Sequence, residues 1–193
     1  NVSGYIYSYF PRGSSWAFHA PGQVDLARVP VSQVMEQTAY EWFAGLDGNG
    51  NPVWSPSLGA RQPVFEDSNG LRTVSVTYNP GLDRYLLAIQ HTGKIPKGQL
   101  GIFESTTPWG PWSTVAYYTT DPDWNAKGSN LSYYFAPKWL SIDGKDFTLV
   151  FTGSDEWSTV RGHFVVDTTP PGPDTTPPVR SNGRPCPRVP APP

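Results

Sequence analysis

Short runs of aromatic and β-branched residues, each ended by a turn signal, recur along this chain and leave little room for anything but sheets. Strand-like segments run Tyr5 to Phe10, Val24 to Val29, Ala39 to Gly45, Arg61 to Phe65, Thr73 to Tyr78 and Arg84 to Gln90. They continue as Leu100 to Glu104, Ser113 to Thr119, Tyr133 to Leu140, Phe147 to Thr152 and Val160 to Val166. Between them, Asp47-Gly-Asn-Gly50, Ser68-Asn-Gly70, Asn79-Pro-Gly81 and Asp143-Gly144 provide the positive or fixed φ that tight turns require. Long Ala/Leu/Glu/Lys stretches of helix-forming character are missing, so the chain reads as all-β.

A spacing of about 8–12 residues between such segments fits a sandwich, a barrel or a propeller. Strand, turn, strand, turn, strand repeats about three times, in units near the roughly 40–50 residues of a propeller blade. Tyr5 to Gly45, Arg61 to Glu104 and Ser113 to Val166 are the expected units. Closed rings hold about four to eight blades, so three would be a truncated propeller. The chain opens with Asn1 and enters a strand at once, which reads as a piece of a longer protein. From Asp167 the composition turns to Thr and Pro, a tract that can form neither ladder nor helix. The expected division is therefore a β-domain over 1–166 and a disordered Pro-rich linker, with the remnant of a following module, over 167–193.

Of 193 residues, 37% are hydrophobic and 14% aromatic, enough to bury a core. The formal net charge is −2 with dispersed cations, which argues against a nucleic-acid partner. No apolar run approaches the ~20 residues of a membrane helix. The single cysteine, Cys186, lies in the tail and can form neither an internal disulfide nor a zinc cluster. Asp47-Gly-Asn-Gly-Asn51 lacks the closing glutamate of a calcium loop and reads as a turn. Neither a metal nor another cofactor is expected, and the chain is expected to be a monomer.

Glu41, within Ala39-Tyr-Glu-Trp-Phe-Ala-Gly45, is the leading acid candidate. Glycoside hydrolysis uses two carboxyl groups across the scissile bond, and apolar neighbours help one of them keep a proton to donate. The alternative is an ordinary strand glutamate paired with an arginine such as Arg61 or Arg84. Glu104, in Gly101-Ile-Phe-Glu-Ser105, is the second acid candidate. Arg61, Tyr78 and His91 are candidates for binding substrate hydroxyls. Tyr134 and Trp139 are candidates for a sugar platform on the same face as Glu41, with core packing as the alternative. Trp109 and Trp112, in Pro108-Trp-Gly-Pro-Trp112, fit a rigid packing corner or a sugar platform.

Several stretches together resemble the C-terminal part of a secreted bacterial family catalogued as a domain of unknown function. They are Val24-Asp-Leu-Ala-Arg-Val-Pro30, Tyr40-Glu-Trp-Phe-Ala-Gly45 with Pro52-Val-Trp54, Pro63-Val-Phe65, Ser75-Val-Thr-Tyr-Asn-Pro80 with Arg84-Tyr-Leu-Leu87, and Ile102-Phe-Glu104 leading into Pro108–Trp112. That family has a five-bladed propeller related in shape to arabinanase and fructosidase-type glycosidases, and some members are endo-D-arabinanases. The resemblance implies an extracellular glycoside hydrolase acting on a polysaccharide such as an arabinan, with Glu41 as one acid and a partner acid upstream of Asn1. A non-catalytic carbohydrate-binding propeller and a polysaccharide lyase are the alternatives.

Overall fold

The computed structural model describes residues 4–13, 19–91, 99–118, 130–153 and 156–166. The expected Pro-rich linker and Cys186 lie outside the described residues. Within them are twelve strands: β1 (Tyr5–Pro11), β2 (Gly22–Pro30), β3 (Glu41–Leu46), β4 (Pro52–Ser55), β5 (Pro63–Asp67), β6 (Leu71–Asn79), β7 (Arg84–His91), β8 (Gln99–Ser105), β9 (Ser113–Tyr117), β10 (Asn130–Phe135), β11 (Asp146–Gly153) and β12 (Glu156–His163). The helical segments among the described residues are short 3-10 turns such as Gln37–Ala39 and Pro137–Trp139. No described helix is long and apolar enough to cross a membrane. The chain is all-β, as its residue pattern implies.

Three antiparallel sheets follow one another along the sequence. The first has β2 at its centre, with β1 on one side. On the other side β3 pairs with the C-terminal half of β2 through Ala27–Trp42 and Arg28–Glu41, while β5 pairs with the N-terminal half from Gly22 to Asp25. β4 extends the sheet beyond β3. The second sheet is the meander β6-β7-β8-β9, and the third is β10-β11-β12. These boundaries correct the expected units: β5 belongs to the first sheet because it bonds β2, and β9 to the second because it bonds β8.

Two cores hold the sheets together, one on each face of the second sheet. Leu87, Ile89 and Phe103 meet Val24, Leu26, Phe43 and Phe65 of the first sheet. Their strand neighbours Leu86, Ala88 and Ile102, with Leu100, meet Tyr133, Phe135, Leu149 and Phe151 of the third. Successive side chains in a strand point to opposite faces, so a strand covered on both sides has to be apolar throughout. That accounts for Tyr85-Leu-Leu-Ala-Ile in β7, whose residues are all buried.

The first strands of the sheets lie together, β6 packing against both β1 and β10. Across the second of these contacts, the Ser75 hydroxyl donates to the Tyr133 carbonyl at 2.6 Å and Thr77 to that of Phe135 at 2.9 Å. Buried Asn79 locks the turns at the far end. Its Oδ1 accepts from the Gly81 and Leu82 amides, and its Nδ2 donates to the Gly144 carbonyl at 2.7 Å. Gly144 has φ +74°, and a Cβ there would come within 2.2 Å of Asn79 Oδ1. A side chain at this corner would push the two turns apart.

Candidate functional site

Glu41 begins β3, two strands from β1 within the first sheet, and register places it directly opposite Arg28. Cross-strand partners of opposite charge attract at this distance. The Arg28 Nε and Nη2 reach Glu41 Oε2 at 2.8 and 2.7 Å. The guanidinium is sandwiched between the rings of Tyr5, 4.5 Å away, and Trp54, 4.2 Å away. Cation–π contact of this kind holds the arginine head over apolar surface. The glutamate is thus paired with an arginine, as the alternative has it, though with Arg28 and not with either of the examples, Arg61 and Arg84.

Those two go elsewhere. Arg61 Nε donates to Asp25 at 2.8 Å, and Arg12 clasps the same carboxylate through Nε and Nη2. Asp25 is 4% exposed, and charge at that depth requires such pairing. Arg84 approaches Glu104 at 3.7 Å, on one wall of a shallow cleft floored by Leu82, Leu86 and Val115. Sequence reasoning overlooked Asp25, although an acid inside Val24-Asp-Leu-Ala27 is itself a signal of a paired buried charge.

Tyr78 is partly exposed and donates to Asp83 at 2.7 Å, with its ring packed 5.0 Å from Tyr85. Burial, together with neighbouring Tyr7, Tyr78 and Asp83, pushes the Tyr85 hydroxyl up to about 12. Tyr7 is raised as well, chiefly by burial and against the influence of Arg28. Phenols so placed act as donors and resist ionisation.

His91 ends β7, fully buried, its ring stacked on Tyr117 at 4.0 Å with planes 9° apart. Tyr117 donates to Asp67 at 2.6 Å and accepts from Asn69 at 2.9 Å, and its pKa is raised first by burial and then by Asp67. Burial lowers the His91 pKa, while Asp67 and the nearby Tyr118 and Leu100 backbone oppose it. Neither ring nitrogen makes a hydrogen bond of standard geometry among the described residues. An imidazole with no exposed surface is not available to a substrate hydroxyl.

The third sheet carries the open aromatic surface. Tyr134 pairs with Val150, Val150 with Thr159, Thr148 with Arg161 and Asp146 with His163, so these residues share the face turned away from the second core. Trp157, 65% exposed, belongs to the same row, and Trp139 reaches it from the 3-10 turn after β10. The two indoles lie 6.2 Å apart with planes at 61°. Beneath them is a cleft of about 710 Å³ lined by Asp146, Thr148, Thr159 and Arg161. The His163 Nδ1 to Asp146 distance is 2.7 Å. Tyr134 and Trp139 thus come together, but not on the face of Glu41: they stand on the third sheet and Glu41 on the first, with the second sheet's two cores between. Trp157 was missed from sequence because its strand, expected to start at Val160, begins at Glu156.

Trp109 and Trp112 pack against the first core, the packing corner being the alternative of the two that holds. Asp47 curls inward, its Oδ1 accepting the Asn49 and Asn51 amides at 2.8 Å, and the Asn51 amide leads in lowering its pKa. The loop is an Asx-type turn. No group of three or more His, Cys, Asp or Glu that could hold a metal occurs among the described residues. No family model matches the chain, and neither does any curated protein.

Proposed function

We propose that this chain is a carbohydrate-binding β-domain of the propeller type, acting outside the cell, that holds glycan along the aromatic outer face of its third sheet. The observation that carries this is the cleft beneath Trp139 and Trp157 with its polar floor. Sugars present apolar C–H faces and hydroxyl edges, so they suit a site combining flat aromatic rings with carboxylate, hydroxyl and guanidinium groups. The propeller reading draws on three successive antiparallel sheets whose first strands adjoin. The likeness to propeller glycosidases rests on the sequence stretches alone.

Binding is favoured over hydrolysis because β1, β6 and β10, the adjoining strands, contain no Asp or Glu. Titrating the protein against soluble polysaccharides by calorimetry tests the proposal. Trp157→Ala should weaken binding about tenfold or more, the usual effect of removing a central aromatic contact. Unchanged affinity would refute the site.

A hydrolytic reading on arabinan-like chains retains one supporting feature: Glu41 pairs with an Arg28 guanidinium that rests against the rings of Tyr5 and Trp54. Its Oε2 is engaged by Arg28, which favours the ionised form over one that donates a proton. Glu41→Gln abolishing release of reducing ends would establish that reading, and no release from the unaltered protein would dismiss it.

A further inference from the structure

We infer that the cleft on the third sheet takes single bent glycan chains and rejects the flat faces of crystalline polysaccharides; this rests on the carbohydrate reading of that cleft. A crystalline face is a plane of parallel sugar rings, so the aromatic side chains that bind it have to lie in one plane. Trp139 and Trp157 do not: their planes meet at 61° with centroids 6.2 Å apart, which makes a corner. Two sugar rings that each stack on one of these indoles must be turned relative to one another by a similar angle.

Two further observations point the same way. The Lys138 ammonium stands over the Trp139 ring, 5.1 Å from its centroid, so one face of that indole is covered by charge and does not extend into a flat apolar platform. The polar groups that recognise hydroxyls, Asp146, Thr148, Thr159 and Arg161, line a concavity and not a raised platform. A separate chain can follow that concavity along its length, whereas a flat crystal face spans it. Chains built from furanoses, or from pyranoses linked so that successive rings rotate, meet this requirement.

The test uses the full chain and its Trp157→Ala variant in two assays. One is affinity electrophoresis in gels containing soluble arabinan, xylan or mixed-linkage glucan; the other is depletion onto microcrystalline cellulose and chitin. The expected result is retardation by at least one soluble polysaccharide, reduced about tenfold or more in the variant, with no depletion onto the crystals. Depletion onto crystals that Trp157→Ala abolishes would overturn the inference and leave the carbohydrate reading intact. No retention in either assay would overturn both. Because Trp157 is mostly exposed, the variant should fold, and its circular dichroism should match that of the unaltered protein.

Discussion

Replacing Gly162 by alanine should destabilise the third sheet, although alanine is ordinarily the better residue in a strand. Gly162 lies opposite Phe147 across β11 and β12, and a Cβ there would come within 2.2 Å of the Phe147 ring. Carbon atoms settle at about 3.5–4.0 Å, so the ring has to retreat by roughly 1.3 Å or more. It cannot do so freely, because it packs 4.4 Å from Phe164 and 5.1 Å from Phe135. Overpacking of this kind costs about 1–3 kcal/mol, while removing a strand glycine returns about 0.5–1 kcal/mol of backbone entropy. The net loss is roughly 0–2.5 kcal/mol, with about 1 kcal/mol at mid-range, measured by urea unfolding. Phe147→Ala alone should cost about 3 kcal/mol. In that background Gly162→Ala should change sign and stabilise, since the clash is gone. If instead the two losses add within about 0.5 kcal/mol, the ring contact is not what requires glycine, and the reasoning fails.

Three other outcomes are expected. Burial holds the folded His91 pKa below its ordinary value of 6.5, so the unfolded chain takes up the proton first. Stability is therefore complete above about pH 6.5 and declines as pH falls through the folded pKa. His91→Phe, which keeps the stack on Tyr117, should flatten this part of the difference curve; parallel curves would count against it. At the arginine clasp, Asp25→Ala leaves two guanidiniums facing each other and should cost about 3 kcal/mol, the low end for a broken buried pair because both reach solvent. Arg61→Ala should cost less, since Arg12 still holds the carboxylate, and equal losses in chemical denaturation would refute the shared clasp. Gly144→Ala should destabilise by at least 1 kcal/mol or so, through positive φ and collision with Asn79, and an unchanged unfolding midpoint would show that the turns do not interlock.

Local chemistry accounts for what was legible before the structure. Alternation and turn residues located most of the strands, and the failures fall where pairing partners lie far along the chain. β4 was missed because Pro52 reads as loop, yet the strand is held by Phe43 and Trp42. Segment boundaries moved where a 3-10 turn consumed the aromatic run, as at Pro137–Trp139 after β10. The site residues divide in the same way. That Glu41 needs an arginine follows from its type, but which arginine depends on the β2–β3 register, and nothing short-range marks Arg28. His91 looked free at the end of its strand because the covering Tyr117 comes from β9, two strands away.

The outer face of the third sheet differs in kind from the faces this protein uses to join one sheet to the next. Where sheets meet, the buried side chains are Val, Leu, Ile, Ala, Phe and Tyr. Had the outer face of β11 and β12 been built for another such contact, the same composition would be expected. Instead Asp146, Thr148, Thr159 and Arg161 lie on it, and burying them against apolar side chains would cost several kcal/mol unless each found a partner. Exposed indoles over a polar floor satisfy a ligand that is itself apolar on its faces and polar at its edges. That pairing of surfaces, and no feature of Glu41, is what inclines the functional reading toward glycan binding.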